Sequence, residues 1–180
     1  EHIRVNQINP GWTLTEHERE LKRARLAGEG GGRHFVPNRD APELLGVLRQ
    51  MYRQRDLEIV SGDLPDTVLP LDQEDMLELL GNLLDNACKW ARRRVDLQMS
   101  LGEELAIAVS DDGPGIDEEE REVLLRRGGR LDEQEPGHGL GLAIVRDLVD
   151  AYHGTLDLGR SASLGGLSVR ISLPLAIQPR

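Results

Sequence analysis

The sequence predicts an α/β protein, a two-layer sandwich in which helices cover one face of a mixed sheet and a long lid interrupts the run of elements. Three observations predict it. Short apolar segments of period two fall into local pairs, and amphipathic helical segments separate those pairs. A charged connection of about 20 residues follows one strand, a length at which loops inside compact domains are usually functional.

At 180 residues the chain suits one core plus a short appendage. Residues 1–32 differ from the rest. A turn at Pro10 and Gly11 precedes a charged helical stretch from Glu16 to Leu26, and Gly28, Gly30, Gly31 and Gly32 then read as a flexible joint. The expected division is a leader and linker over 1–32 and one domain over 33–180. Pro42, followed by Leu44, Leu45, Val47, Leu48, Met51 and Tyr52, predicts a helix with proline in its first turn. Leu57, Ile59 and Val60 suggest a short strand. A longer helix is expected from about Asp72 to Arg92, since Met76, Leu77, Leu80, Leu83, Leu84, Ala87 and Ala91 share one broad stripe. Val95, Leu97, Met99 and Leu101, then Leu105, Ile107 and Val109, alternate as a half-buried hairpin turning at Gly102 and Glu103. After DDGPGI and the long connection, GHGLGLA opens a helix running to about Tyr152. Leu156 and Leu158, then Leu167, Val169, Ile171 and Leu173, supply the last two strands.

Composition narrows the function. A net charge of −10, with arginines scattered among acidic neighbours, disfavours nucleic acid. No apolar run reaches the roughly 20 residues of a membrane-spanning helix, so the chain reads as soluble. The single cysteine, Cys88, lies in an apolar helical pattern and is expected to be a buried small hydrophobe.

Three constellations suit a nucleotide. On the helix ELLGNLLDNACKWA, residues Asn82, Asn86, Lys89 and Arg93 form a polar stripe opposite the apolar one, with Trp90 at its margin. A solvated face would explain Lys89 or Arg93 singly. Two asparagines one turn apart in a helix interior call for more, because asparagine competes with the helix backbone for hydrogen bonds. An asparagine amide oxygen can join Mg²⁺, a hard cation that takes its other oxygens from phosphates and water. The second constellation is Asp111, Asp112, Gly113, Pro114, Gly115 and Ile116 at a strand end. Its glycines permit close approach to a planar ligand, and Asp112 is the expected acceptor for an exocyclic amine. Taken alone, the segment also fits a tight turn with capping aspartates. The third is Gly137, His138, Gly139, Leu140, Gly141 and Leu142, where bare N–H groups precede a helix and suit an anion.

In this order and spacing, the three segments resemble the N box and glycine boxes of the Bergerat-type (GHKL, HATPase_c) ATPases. LLGNLLDNACKWA, VSDDGPGI, REVLLRRGGRLDEQEPGHGLGLAIVRDLVDAYHG and LGGLSVRISLPL look most like the sensor histidine kinase branch, and within it the PhoQ type. The resemblance covers about residues 20–175. It implies the Bergerat ATP-binding fold, with ATP and Mg²⁺ as ligands. Asn86 would be the metal ligand, Asn82 would lie near the phosphates, Lys89 would contact them, and Trp90 would lie against adenine. Asp112 would bind the adenine amino group, Gly113, Gly115 and Ile116 would shape the turn, and Gly137, His138, Gly139, Leu140, Gly141 and Leu142 would form the last box. In the lid, Arg130 matches a phosphate-reaching arginine, whereas Glu135 replaces a second one.

Related hydrolases carry a glutamate base at the position of Asn82, so asparagine there favours phosphoryl transfer to a protein over hydrolysis. The resemblance implies a protein-histidine kinase acting on a histidine of its own dimerisation domain, with relay to a response regulator receiver domain. The parent protein would be a membrane-anchored homodimer, its catalytic part at the cytoplasmic face of the bacterial inner membrane. Residues 16–27 are expected to be the last turns of the dimerisation helix, and His17 lacks the Thr-Pro of an acceptor box. The chain is therefore expected to bind ATP without phosphorylating itself. A silent ATP-binding regulatory module and a serine kinase of the anti-sigma-factor type stay open as alternatives.

Overall fold

The computed structural model describes residues 33–125 and 140–175. Their helices and strands, in chain order, are α1 (Pro37–Met51), β1 (Glu58–Ser61), α2 (Gln73–Trp90), β2 (Arg94–Leu101), β3 (Glu104–Asp111), α3 (Glu118–Leu125), α4 (Leu140–Ala151), β4 (Thr155–Arg160) and β5 (Leu167–Pro174). The predicted leader, linker and His17 lie outside the described residues, as do Arg130, Glu135, Gly137, His138 and Gly139.

Helix α1 begins five residues earlier than Pro42 suggests. Pro37 holds the first helical position, where its fixed φ suits the helix, and the buried Asp40 carboxylate accepts the Val36 N–H at 2.7 Å. Pro42 therefore sits inside the helix, at the cost of one backbone bond.

The strands form one sheet in the order β1-β2-β3-β5-β4. Only β1 and β2 run parallel; the other neighbours are antiparallel, so the sheet is mixed as expected. Register places like with like: Leu97 faces Val109, Ile107 faces Ile171, and Leu158 faces Val169. These residues are buried together with Leu45, Leu80, Leu84 and Leu148 of the helices. Alternate residues such as Gln98 and Arg170 are exposed. The layers thus meet across one apolar face, which is the expected α/β sandwich.

Helix α2 is tied at both ends. Asp72 caps its start, accepting from Glu74 N and Asp75 N, and the Tyr152 hydroxyl bonds Asp72 N and the Asp75 carboxylate. At the other end the Arg55 guanidinium donates to the carbonyls of Cys88, Lys89 and Ala91, at 2.6, 3.0 and 2.8 Å. A fixed cation there also complements the helix dipole. Edge strand β1 is held by Arg49, whose Nε and one terminal nitrogen both donate to the Ile59 carbonyl. Among the described residues no helix is long and apolar enough to cross a membrane. Cys88 is fully buried, and loss of solvent pushes its thiol up to about 12, so it serves as packing.

Candidate nucleotide site

The polar stripe of α2 faces the turn after β3 on one side and the start of α4 on the other. Gly113 lies so close to the C-terminal end of α2 that a Cβ there would fall 2.6 Å from the Trp90 carbonyl oxygen and 2.8 Å from Asp111 Oδ1. At the other end of the stripe, a Cβ on Gly141 would stand 3.3 Å from Asn82 Oδ1. The helix, the turn after β3 and the first turn of α4 are thus adjacent, because the sheet brings the end of β3 under α2 while α4 packs along it. Gly115 takes a φ of 77°, a conformation disfavoured by any side chain, and so turns the chain away after Pro114. Ile116 and Leu142 are half-buried and pack against the core beneath. Leu140 opens α4, downstream of the glycines that lie outside the described residues.

The four α2 residues differ in what they do. Asn82 returns its amide nitrogen to the Glu78 carbonyl at 2.8 Å, leaving its oxygen toward Gly141. The half-buried Asn86 amide makes no hydrogen bond to any described residue, which leaves a hard oxygen donor in the middle of the stripe. Lys89 is exposed and its ammonium sits 2.7 Å from the buried Asp85 carboxylate. Trp90 is 45% exposed at the helix end, beside the glycine turn.

The two aspartates after β3 have separate tasks. Asp112 was the residue expected to read adenine, but its carboxylate accepts the backbone N–H groups of Arg92, Arg93 and Arg94, at 2.8 to 3.1 Å. Although partial burial alone would raise its pKa, these donors hold it below the usual carboxylate range. Asp112 is thereby the capping aspartate of the alternative reading, joining the end of α2 to β2. Asp111 is the deeply placed carboxyl. Its Oδ1 accepts from Gly113 N at 2.8 Å and Leu167 N at 3.2 Å, and burial pushes its pKa up despite these donors, with the neighbouring Asp112 charge adding to the rise. The sequence carried the signal: Leu105, Ile107, Val109 and Asp111 continue one inward-facing alternation, and Asp112 falls out of phase with it.

No group of three or more His, Cys, Asp or Glu side chains suited to a metal occurs among the described residues. A cation here would take one amide oxygen from Asn86 and the rest from a bound phosphate and water, which is how Mg²⁺ commonly binds. A separate depression of about 330 Å³ lies by the C-terminal end of α1, lined by Arg49, Tyr52, Arg53, Arg55 and Leu57. The guanidinium groups of Arg49 and Arg55 there face backbone carbonyls, so it is a poorer anion site than its composition suggests.

Comparison with known proteins points to the same region. Residues 71–177 match the family described as histidine kinase-, DNA gyrase B-, and HSP90-like ATPase. The chain is 48% identical over 159 residues to the sensor protein kinase CarS of Pseudomonas aeruginosa, covering 87% of this chain and 35% of that protein. To the two-component sensor PhoQ of the same organism it is 38% identical over 154 residues, covering 84% and 34%. The chain thus spans about a third of the length of these relatives. Among solved structures, the mycobacterial sensor histidine kinase MprB aligns with a TM-score of 0.59 at 29% identity, over 75% of this chain and 94% of that one. The catalytic domain of histidine kinase ThkA gives 0.69 over 79% and 94%, and at 21% identity supports the fold alone. The match runs from just before α2 to just past β5 and takes in the asparagine stripe, the turn after β3 and the start of α4, so the chain belongs to the histidine kinase-, DNA gyrase B-, and HSP90-like ATPase family.

Proposed function

We propose that this chain is the ATP-binding catalytic domain of a two-component sensor histidine kinase, moving the γ-phosphoryl group of ATP to a histidine on the dimerisation domain of the same kinase. The observation that supports the reading is the approach of Gly113 to Trp90 and of Gly141 to Asn82, which brings the turn after β3 and the start of α4 each against α2. Similarity to CarS and PhoQ, a sensor protein kinase and a two-component sensor by name, supports the kinase branch.

In this reading Asp111, not Asp112, accepts the adenine amino group, because Asp112 is committed to three backbone donors and Asp111 is buried at the strand end. Trp90 offers an indole face to the base. Asn86 supplies an amide oxygen to Mg²⁺, and Lys89 directs an ammonium toward the phosphates. The metal supplies neutralisation of phosphate charge. Asn82 cannot remove a proton from water at neutral pH, and its amide nitrogen is tied to the helix backbone. That supports transfer to a protein acceptor over hydrolysis. The proposed partners are the phosphoacceptor histidine domain and a receiver domain, in a parent protein that is a membrane-anchored homodimer at the cytoplasmic face.

Supplying a separately made acceptor-helix domain together with γ-labelled Mg-ATP tests the proposal. Acid-labile histidyl label is the expected result. Seryl label on a protein partner would indicate the anti-sigma-factor type of kinase, and absence of label with ATP bound would indicate a silent module.

A further inference from the structure

The Lys89 ammonium is not an isolated surface charge. Its partner Asp85 is 9% exposed and has its two carboxylate oxygens divided between two elements. Oδ2 meets Lys89 Nζ at 2.7 Å, one turn along α2. Oδ1 accepts the hydroxyl of Tyr52, also at 2.7 Å, from the residue that ends α1 and lies 33 positions earlier in the chain. Tyr52 packs against the core, and burial followed by this hydrogen bond raises its pKa, so the phenol stays protonated and keeps donating across any working pH.

We infer that Tyr52 is a positioning residue for Lys89: by holding one oxygen of Asp85, it limits that carboxylate to a single contact with the ammonium and leaves Lys89 presented toward the polyphosphate. An ammonium has three donors, and Asp85 takes one of them. Without the phenol, Oδ1 would be a buried acceptor with no partner, a state costly enough that the carboxylate would turn both oxygens to the nearest cation. That cation is Lys89, which would then be drawn inward and away from the ligand. Asp85 thus transmits the position of α1 to the Lys89 charge on α2. The inference rests on the proposed ATP site.

The test is calorimetric titration of the wild type, Tyr52→Phe, Lys89→Met and the double variant with ATP, ADP and adenosine. Tyr52→Phe should weaken ATP and ADP by roughly fivefold, about the net worth of one hydrogen bond, and leave adenosine unchanged. In the Lys89→Met background the same substitution should have no effect on ATP. Equal losses for adenosine and ATP, a loss that persists without Lys89, or no loss at all would overturn the inference. Should Tyr52→Phe lose its helical circular dichroism, Asp85→Asn serves in its place. It keeps an acceptor for the phenol and removes the charge that would draw Lys89 inward, so ATP affinity that is kept or raised with adenosine unchanged supports the coupling, and a loss of ATP affinity rejects it. A wild-type protein that binds neither ATP nor adenosine would refute the nucleotide site itself, a result distinct from a site that binds ATP indifferently to Tyr52.

Discussion

Asn82 and Gly141 touch across the groove between α2 and α4, with the asparagine oxygen 3.3 Å from where a Cβ of residue 141 would lie. The contact fixes the start of α4 against the polar stripe of α2. Because the Asn82 amide nitrogen is bonded to Glu78, the few tenths of an ångström by which the side chain must yield strain that bond. Gly141→Ala should therefore change thermal stability by less than about 1 kcal/mol, as the helix-propensity gain, reduced at the second helical position, partly offsets the displacement. Nucleotide affinity should still fall, which titration with ADP would show; unchanged affinity would mean that this contact does not shape the site.

Gly113 has less room. The Trp90 carbonyl it would meet is backbone at the end of α2, and the Asp111 carboxylate is held by the Leu167 N–H. Gly113→Ala should lower unfolding free energy by about 1–3 kcal/mol, the range for an overpacked interior site, read from urea denaturation.

Asp111 and Asp112 should separate by both ligand and pH. Asp111→Asn should abolish ADP binding, whereas Asp112→Ala should lower stability by about 1–2 kcal/mol, the cost of losing a capping carboxylate. The folded pKa of Asp112 is depressed, so its contribution is complete above the ordinary carboxylate value of 3.8 and disappears as pH falls through and below it. The folded pKa of Asp111 is raised, so acidification toward that range relieves a cost. Acid titrations of stability should consequently be less steep for Asp112→Ala than for the wild type.

Asn86→Ala should weaken Mg-ATP by about tenfold or more, the scale of one lost contact to a charged group, and change metal-free ATP far less. Equal losses in the presence and absence of magnesium would remove Asn86 from the metal site.

Trp90 emission, followed in a Trp12→Phe background, should shift on adding ADP, since nearly half of the side chain is open beside the glycine turn. Constant emission at saturating ADP would place the base elsewhere.

Periodicity made much of this architecture legible. The stripe from Met76 to Ala91 marked α2, and the alternation from Val95 to Val109 marked the hairpin, because burial on one face leaves its spacing in the sequence. Helix α3 was not legible: EEEREVLL carries too little apolar pattern, and Arg121 joins it to Asp157 of β4 through an ion pair rather than a stripe. For the adjacent aspartates the alternation of β3 put Asp111 inward, and their separate hydrogen-bond partners in space showed what each does. The same holds for Tyr52, whose link to Asp85 spans two helices and leaves no local mark. Long-range polar contacts have no period, and these are the features that distinguish one carboxylate or lysine in the site from its neighbour.

The Arg49 side chain has a consequence for how the molecule meets its own copies. A border strand with an open carbonyl invites another chain to zip onto it, and sheets extend into aggregates in that way. Here an intramolecular cation occupies the outward Ile59 carbonyl, so that flank is stoppered from within and accretion of a sixth strand there is discouraged at its second residue.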